Sequence, residues 1–124
     1  MNIFIDSNSP LAVYKQIKNQ IKGLIIQSEL PEGTVLPSIR TLAGYLEIAN
    51  NTVARAYYEL EKEGYLKLEG RRGSIVRKTQ ETDEIKRNEF LMNLTEEFLL
   101  RSREYGYTVE EIIAAIEDTY SRIY

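Results

Sequence analysis

The loop Gly70-Arg71-Arg72-Gly73 carries the side chains best suited to chemistry, and that chemistry is anion binding. Adjacent guanidinium groups supply donors for phosphate oxygens, and the glycines permit close approach of the backbone to a phosphate ridge or a minor groove. Lys15, Lys18 and Lys22 form a second basic set at helical spacing. These lysines could touch phosphates, or they could simply form a solvated face.

Residue types on which most enzymes and metal sites depend are missing. The 124 residues include no Cys and no His, which excludes disulfides, thiolate zinc sites and the commonest general base. Two adjacent carboxylate pairs, Glu96-Glu97 and Glu110-Glu111, lie on predicted helices, where neighbouring residues do not share a face. These absences leave an oxygen-only metal site or a carboxylate enzyme open, but no spacing supports either. We therefore expect no enzymatic activity, no metal site and no cofactor.

The stretch from Leu36 to Asn51 predicts a helix-turn-helix unit that would present basic and polar groups on its surface. Ser38 is suited to cap the first helix, residues 47–49 leave room only for a turn, and the second helix runs from about Asn50 to Glu63. Apolar residues recur at i, i+3, i+4 and i+7 in both helices: Ile39, Leu42, Ala43 and Leu46, then Val53, Ala56, Tyr57 and Leu60.

Elements on both sides complete this unit. Residues 3–5 predict a short strand or an arm against the core, and Ser9-Pro10 predicts the start of a first helix that runs to about Gln27. Residues 65–69 and 74–77 alternate in polarity and predict two strands joined by the basic loop. A hairpin placed directly after the second helix of a helix-turn-helix is a wing.

The composition changes at the polar residues 79–84. Residues 1–79 contain 11 Lys and Arg and 8 Asp and Glu, a balance of +3, whereas residues 80–124 contain 5 and 11, a balance of −6. We predict a winged helix-turn-helix domain at residues 1–78 and a helical segment at 79–124. The segment should be an antiparallel hairpin of two helices, 85–103 and 108–123, whose apolar surface is too wide to bury within the pair. The fold class is thus mainly α with a small β wing, and the hairpin is expected to serve dimerisation.

Four motifs between residues 10 and 76 occur in one order and spacing. They are Pro10-Leu11 with Tyr14 and Ile17, Leu36-Pro37-Ser38-x-Arg40-x-Leu42-Ala43, Thr52-Val53-x-Arg55-Ala56-Tyr57-x-x-Leu60-x-x-x-Gly64, and Arg72-Gly73-Ser74-x-Val76. Together they resemble the GntR family of bacterial winged-helix transcription regulators, and the short C-terminal part is similar to that of the YtrA-like branch. Members of that branch are generally dimeric repressors, often of ABC-transporter operons. The resemblance therefore implies a homodimeric repressor that binds an inverted-repeat operator in double-stranded DNA.

The resemblance also implies which residues contact DNA, in the first helix of the helix-turn-helix, at the start of the second and in the wing. They are Arg40, Asn50, Asn51, Thr52, Arg55, Arg71, Arg72 and Gly73. The family pattern gives Arg40 a role at the backbone or a base edge, and it gives Arg55 a contact with DNA or a supporting role. Asparagine side chains at the recognition-helix start suit a bidentate contact with adenine.

The chain departs from the family pattern at three positions. Glu47 stands where glycine is usual, and a left-handed backbone there would cost about 1–2 kcal/mol. Ala49 replaces the usual Ser or Thr cap, a loss of about 1 kcal/mol unless Asn50 takes over and the helix starts one residue later. Arg71 replaces a common wing glycine.

The departures at Glu47 and Ala49 and the low local charge leave open a second function, a winged-helix protein-interaction adaptor without DNA affinity. An enzyme, the third possibility, is disfavoured by the missing residue types and by the short segment beyond residue 79. No apolar run approaches membrane length, and no basic region precedes an apolar core at the N-terminus. Because the sequence has no Cys, a cytoplasmic location is expected. The sequence identifies no small-molecule effector.

Overall fold

A computed structural model describes residues 1–77 and 83–124. The elements are α1 (Val13–Ile26), α2 (Ile39–Leu46), α3 (Asn50–Lys62), β1 (Leu66–Leu68), a 3-10 turn (Gly70–Arg72), β2 (Ser74–Val76), α4 (Asp83–Arg103) and α5 (Val109–Ile123). This order confirms the predicted fold class. The chain forms two compact units, Met1–Arg87 and Asn88–Tyr124. The predicted domain boundary between residues 78 and 79 lies outside the described residues and stays a prediction.

The core of the first unit forms where α3 packs against α1 and α2. The i, i+3, i+4, i+7 spacing predicts this buried face, and the buried side chains confirm it; they include Ile17, Ile21, Leu42, Ala43, Val53, Ala56, Tyr57 and Leu60. The Tyr57 hydroxyl donates a hydrogen bond to the Pro37 carbonyl at 2.7 Å, which ties α3 to the start of α2. Burial raises the pKa of Tyr57, so its hydroxyl remains a donor.

The start of α2 has a favourable side-chain cap, whereas the turn between α2 and α3 contains two unfavourable residues. The Ser38 hydroxyl accepts a hydrogen bond from the Thr41 amide at 3.1 Å, as predicted. Glu47 adopts φ 57° and ψ 45°, the left-handed conformation for which glycine is the usual residue. Ala49 is the N-cap of α3 and supplies no side-chain hydrogen bond, so Asn50 does not take over the cap.

The predicted start of α1 at Ser9-Pro10 is wrong, because α1 begins at Val13. Gln16 holds the preceding segment off the helix axis: its carboxamide accepts from the Asp6 amide at 2.8 Å and donates to the Leu11 carbonyl at 2.9 Å. The Ser9 hydroxyl accepts from the Leu11 amide in a local turn, at 3.1 Å, instead of capping a helix.

The N-terminal residues form an arm along α1. Ile3 is buried in the core, while the Gln20 carboxamide donates to the Phe4 carbonyl at 2.7 Å and accepts from the Phe4 amide at 2.9 Å. Two glutamine side chains thus satisfy the arm's backbone groups, in place of a neighbouring strand.

The wing is a short antiparallel hairpin with a third segment on its outer edge. Leu66 pairs with Val76 and Leu68 with Ser74. Residues 34–36 lie along the other side of β2, since the Val76 amide donates to the Thr34 carbonyl at 2.9 Å and the Leu36 amide donates to the Ser74 carbonyl at 2.8 Å. This extended segment before the helix-turn-helix therefore supports the wing.

The second unit contains most of α4 and all of α5, joined by a short turn. The Thr108 hydroxyl accepts from the Glu111 amide and the Glu111 carboxylate accepts from the Thr108 amide, both at 3.2 Å, and the two bonds form a capping box at the start of α5. Within this unit Ser102 is buried, but none of the described hydrophobic side chains is. No described helix combines the length and apolar character needed to cross a membrane.

Candidate nucleic-acid interface

The outward face of α3 is polar at its start. Asn50 and Asn51 are exposed in the first turn and Thr52 is half-buried. One turn later the Arg55 side chain is 62% exposed. Because Val53, Ala56, Tyr57 and Leu60 occupy the buried face, Asn51 and Arg55, four residues apart, share the opposite face.

Tyr58 extends this outward face, and sequence reasoning missed it. The side chain is 60% exposed and lies three residues beyond Arg55 and seven beyond Asn51. The same helical spacing that identified the buried face would have identified Tyr58 as its exposed counterpart. Its neighbour Tyr57 is fully buried, so adjacent tyrosines in one helix have different environments.

Arg40 lies in the first turn of α2 and is exposed. The Ser38 cap fixes the start of this helix, and the hydrogen bond from Tyr57 to Pro37 links that start to α3. Arg40 is therefore carried on a rigid element that is packed directly against the helix bearing Asn51.

The wing tip presents two exposed arginines on a 3-10 turn. Gly70 and Gly73 have positive φ, 56° and 90°, and a Cβ atom at Gly73 would lie 3.2 Å from Val35 Cγ1. Glycine at position 73 therefore allows the tip to close against residue 35. Arg71 and Arg72 are both exposed.

Glu69 reduces the positive charge of the wing. Its carboxylate lies 3.0 Å from Lys67 Nζ and 3.5 Å from Arg72 Nη1. The hydrogen bond from Lys67 is the main reason that the pKa of Glu69 is below its ordinary value, which keeps the carboxylate ionised. Arg72 is thus partly neutralised in the free protein.

Glu61 connects α3 to the wing. Its Oε2 atom accepts a hydrogen bond from the Leu68 amide at 2.7 Å. Leu68 belongs to β1, so this bond joins α3 directly to the strand that leads into the basic tip. The bond fixes the wing relative to the helix.

Arg55 is held from two directions. Its Nε atom lies 3.3 Å from Glu59 Oε2, one turn further along α3. The guanidinium carbon lies 3.8 Å from the centroid of the Tyr14 ring, which belongs to α1. The family pattern gives Arg55 either a contact with DNA or a supporting role. In this structure Arg55 contacts Tyr14 of α1, while most of its side chain stays exposed.

Lys18 and Lys22 hold α1 against α3. Lys18 Nζ lies 3.0 Å from Glu59 and 3.2 Å from Glu63, and Lys22 Nζ lies 2.8 Å from Glu63. Both lysine side chains are less than one-fifth exposed. Lys18 and Lys22 therefore form structural ion pairs between α1 and α3. Neither of the two roles predicted for them, a phosphate contact or a solvated face, is correct. Lys15 is exposed.

The ion pairs shift the pKa values of Lys18, Glu59 and Glu63. Burial lowers the pKa of Lys18, but hydrogen bonds to Glu59 and Glu63 outweigh burial and leave it above its ordinary value. The pKa of Glu59 is lowered, first by its hydrogen bond from Lys18. Burial raises the pKa of Glu63, but Lys22 and Lys18 more than offset it, so the net shift is downward. All of these groups are charged at neutral pH.

Residues 13–76 match the profile of the family described as bacterial regulatory proteins, gntR family. The chain belongs to the GntR family. It is a DNA-binding transcription regulator of the winged-helix type. No cluster of potential metal-binding side chains occurs in the part of this GntR protein that the structure describes.

Three bacterial regulators are similar to this GntR protein in sequence. The transcriptional regulator Rv1152 of Mycobacterium tuberculosis is 38% identical over 79 residues, 64% of this chain and 65% of its own. YhcF of Bacillus subtilis is 34% identical over 108 residues, covering 85% of this chain and 87% of its own. The transcriptional repressor YtrA of Bacillus subtilis is 38% identical over 80 residues, 64% of this chain and 62% of its own. The matched stretches thus span slightly less than two thirds of Rv1152 and YtrA.

A solved structure shares the fold. YtrA from Sulfolobus acidocaldarius, a GntR-family transcription factor, matches with 36% identity and a TM-score of 0.59, over 75% of this chain and 97% of that one. The family and the YtrA-like resemblance expected from the motifs are confirmed. The roles of individual residues at the DNA stay predictions.

Proposed function

We propose that this GntR protein is a homodimeric repressor that binds an inverted-repeat operator. One observation carries the proposal: α3 exposes Asn51 and Arg55 on the side opposite the core, and Asn50 is exposed in its first turn. In a helix-turn-helix protein, the N-terminal residues of the second helix reach base edges in the major groove. This exposed face supports α3 as the recognition helix.

The proposed contacts divide into base reading and backbone positioning. Asn51 would read adenine, because its amide offers a donor and an acceptor side by side. Phosphate contacts would come from the other predicted residues and would set the register of the protein on the duplex. These are Arg40, Asn50, Thr52, Arg55, Arg71, Arg72 and the Gly73 backbone.

The exposed apolar surface of the second unit supports a homodimer formed by the C-terminal helices. Ile113, Ile116 and Tyr120 on α5 and Phe98 on α4 are between 46% and 64% exposed. Several of these side chains line an apolar groove of about 350 Å³. A continuous apolar surface of this kind marks an interaction site, and a two-fold dimer would bring two recognition helices to successive major grooves.

Repression is proposed from the YtrA relative. The Bacillus subtilis protein of that name is a transcriptional repressor, and this chain is 38% identical to it over 80 residues. A dimer bound at an operator in a promoter would exclude the polymerase. Such a protein acts where the chromosome is, so a cytoplasmic location follows from the same proposal. An ABC-transporter operon as the target stays a prediction.

Binding to the DNA upstream of the protein's own gene tests the proposal. Fluorescence anisotropy across a salt series, with a scrambled duplex as competitor, should show preferential binding. The logarithm of the association constant should fall with log salt by about 0.9 per neutralised phosphate. If this DNA is not bound, a selection from genomic fragments follows. Failure to enrich any fragment, together with salt-insensitive partner binding, would favour the adaptor function.

Two variants separate the proposed roles. Arg40→Ala should weaken binding to all sequences and reduce the salt slope by about one. Asn51→Ala should instead change the preferred half-site, because loss of a bidentate base contact removes about 1–3 kcal/mol of discrimination. Operator affinities of both variants equal to that of the parent would contradict these assignments.

A further inference from the structure

We infer that Tyr14 of α1 is a positioning residue for operator binding, because it holds Arg55 ready for a phosphate. The inference rests on the proposed function and adds a residue outside the helix-turn-helix to the DNA-reading apparatus. It starts from the stacking of the Arg55 guanidinium at 3.8 Å over the Tyr14 ring.

The contacts of Arg55 leave its two Nη groups available to bind an anion. Tyr14 covers one face of the guanidinium plane, and Glu59 takes the Nε donor at 3.3 Å. The two Nη groups form the opposite edge, which is the fork that binds phosphate oxygens. The side chain is 62% exposed although it is held at both of these places.

Glu59 does not cancel the positive charge of this arrangement. Lys18 also binds Glu59 and Glu63, and Lys22 binds Glu63. With Arg55, the network contains three positive and two negative charges, so it keeps a net charge of +1. An anion that approaches Arg55 therefore meets a net positive group.

Tyr14 is fixed more firmly than Arg55. Its ring is half-buried and packs against the core formed by α1 and α3. A long arginine side chain loses rotamer freedom when it binds, and a pre-ordered one loses less. The Tyr14 ring therefore reduces the conformational entropy that Arg55 loses when it binds a phosphate. Because Arg55 is directed toward α1, the phosphate contact would lie at the side of the recognition helix that faces α1.

A double-mutant cycle on operator DNA tests this role. Tyr14→Leu removes the aromatic face but keeps apolar bulk, and Tyr14→Phe keeps the aromatic face. From the usual strength of a cation–π contact, Tyr14→Leu should weaken operator binding by about twofold to tenfold, and Tyr14→Phe should bind like the parent. In an Arg55→Ala background, Tyr14→Leu should have no further effect. Equal losses in both backgrounds, or parental affinity of Tyr14→Leu, would overturn the inference.

Measurements on the free protein separate this inference from the proposed function. The Nε–H group of Arg55 should be rigid by NMR relaxation in the parent and Tyr14→Phe, and mobile in Tyr14→Leu. Urea denaturation of each variant excludes loss of folding as the cause. A parent that binds no genomic DNA would end the proposed function and the positioning role with it. A parent that binds DNA while Arg55 is equally mobile in all variants would overturn the positioning role alone.

Discussion

Glu47 occupies a backbone position that favours glycine. Its φ of 57° lies in the left-handed region, in the turn between α2 and α3. A non-glycine residue costs about 1–2 kcal/mol there. Glycine would remove this strain, but it would also increase the conformational entropy of the unfolded chain, which offsets part of the gain in stability. Glu47→Gly should therefore raise the free energy of unfolding by about 1 kcal/mol, measured by urea denaturation.

Glu29→Gly is the matched control for Glu47→Gly. Glu29 is also an exposed glutamate in a turn, but it is not among the residues with positive φ. Glycine there should leave stability unchanged or lower it, because it only adds freedom to the unfolded chain. Equal effects at both positions would show that left-handed strain is not the cause.

The sequence predicted the helices well because the spacing of apolar residues along a helix indicates directly which side chains are buried. Val53, Ala56, Tyr57 and Leu60 are all buried, and α3 starts at the predicted Asn50. The start of α1 was mispredicted, because a local Ser-Pro signal is overridden by hydrogen bonds from Gln16 to a segment up to ten residues away. Local propensity contains no information on such a contact.

The candidate site was predicted less completely than the helices. The sequence and the family pattern named Arg55 but not Tyr14, which lies 41 positions earlier and meets it only after α1 packs on α3. The partners of Lys18 were missed for the same reason. Tyr58, by contrast, was within reach of the helical spacing.

A side chain of α3 makes a direct hydrogen bond to the wing, beside the buried contact of Leu66 with the core. Glu61 accepts the Leu68 amide at 2.7 Å in a partly buried setting. Glu61→Ala leaves that amide unpaired, so the free energy of unfolding should fall by about 1–3 kcal/mol. Hydrogen exchange at the Leu68 amide should accelerate, and operator affinity should fall with it. Glu61→Gln keeps an accepting oxygen and should behave close to the parent; a loss as large as that of Glu61→Ala would contradict the account.

The contact between α1 and α3 should weaken in acid. The pKa values of Glu59 and Glu63 are lower in the folded protein than their ordinary value. Their contribution to stability is therefore complete above the unfolded pKa, about 4.3, and is lost as the pH falls through the folded pKa. In urea denaturation, Glu63→Gln should be less stable than the parent at neutral pH, and the difference should shrink as the pH falls below the unfolded pKa. Glu29→Gln is the control and should follow the parent throughout. A difference between Glu63→Gln and the parent that is constant with pH would exclude the ion pairs as its source.

The two units of the molecule differ in how they satisfy their hydrophobic residues. The first unit buries a core of its own, whereas the described hydrophobic residues of Asn88–Tyr124 all retain exposure. The acidic balance of residues 80–124 does not suit DNA, but it does not prevent an apolar contact between two copies. These exposed apolar side chains are the observation behind the proposed dimer, and the oligomeric state of the protein is the property that tests it.

Ile116→Glu should dissociate the proposed dimer. Ile116 lies on the apolar side of α5 and is 52% exposed, so a glutamate costs little in a monomer but would bury a charge in a dimer. Sedimentation velocity should show a monomer where the parent is a dimer. Affinity for a full inverted repeat should fall to the level of a single half-site, because the second recognition helix is no longer linked to the first. Ala114→Glu adds the same charge two residues away on the exposed opposite side of the helix, and should remain dimeric. If the Ile116→Glu protein stayed dimeric and kept parental affinity for the full repeat, residue 116 would not be buried in the dimer. The interface would then lie elsewhere.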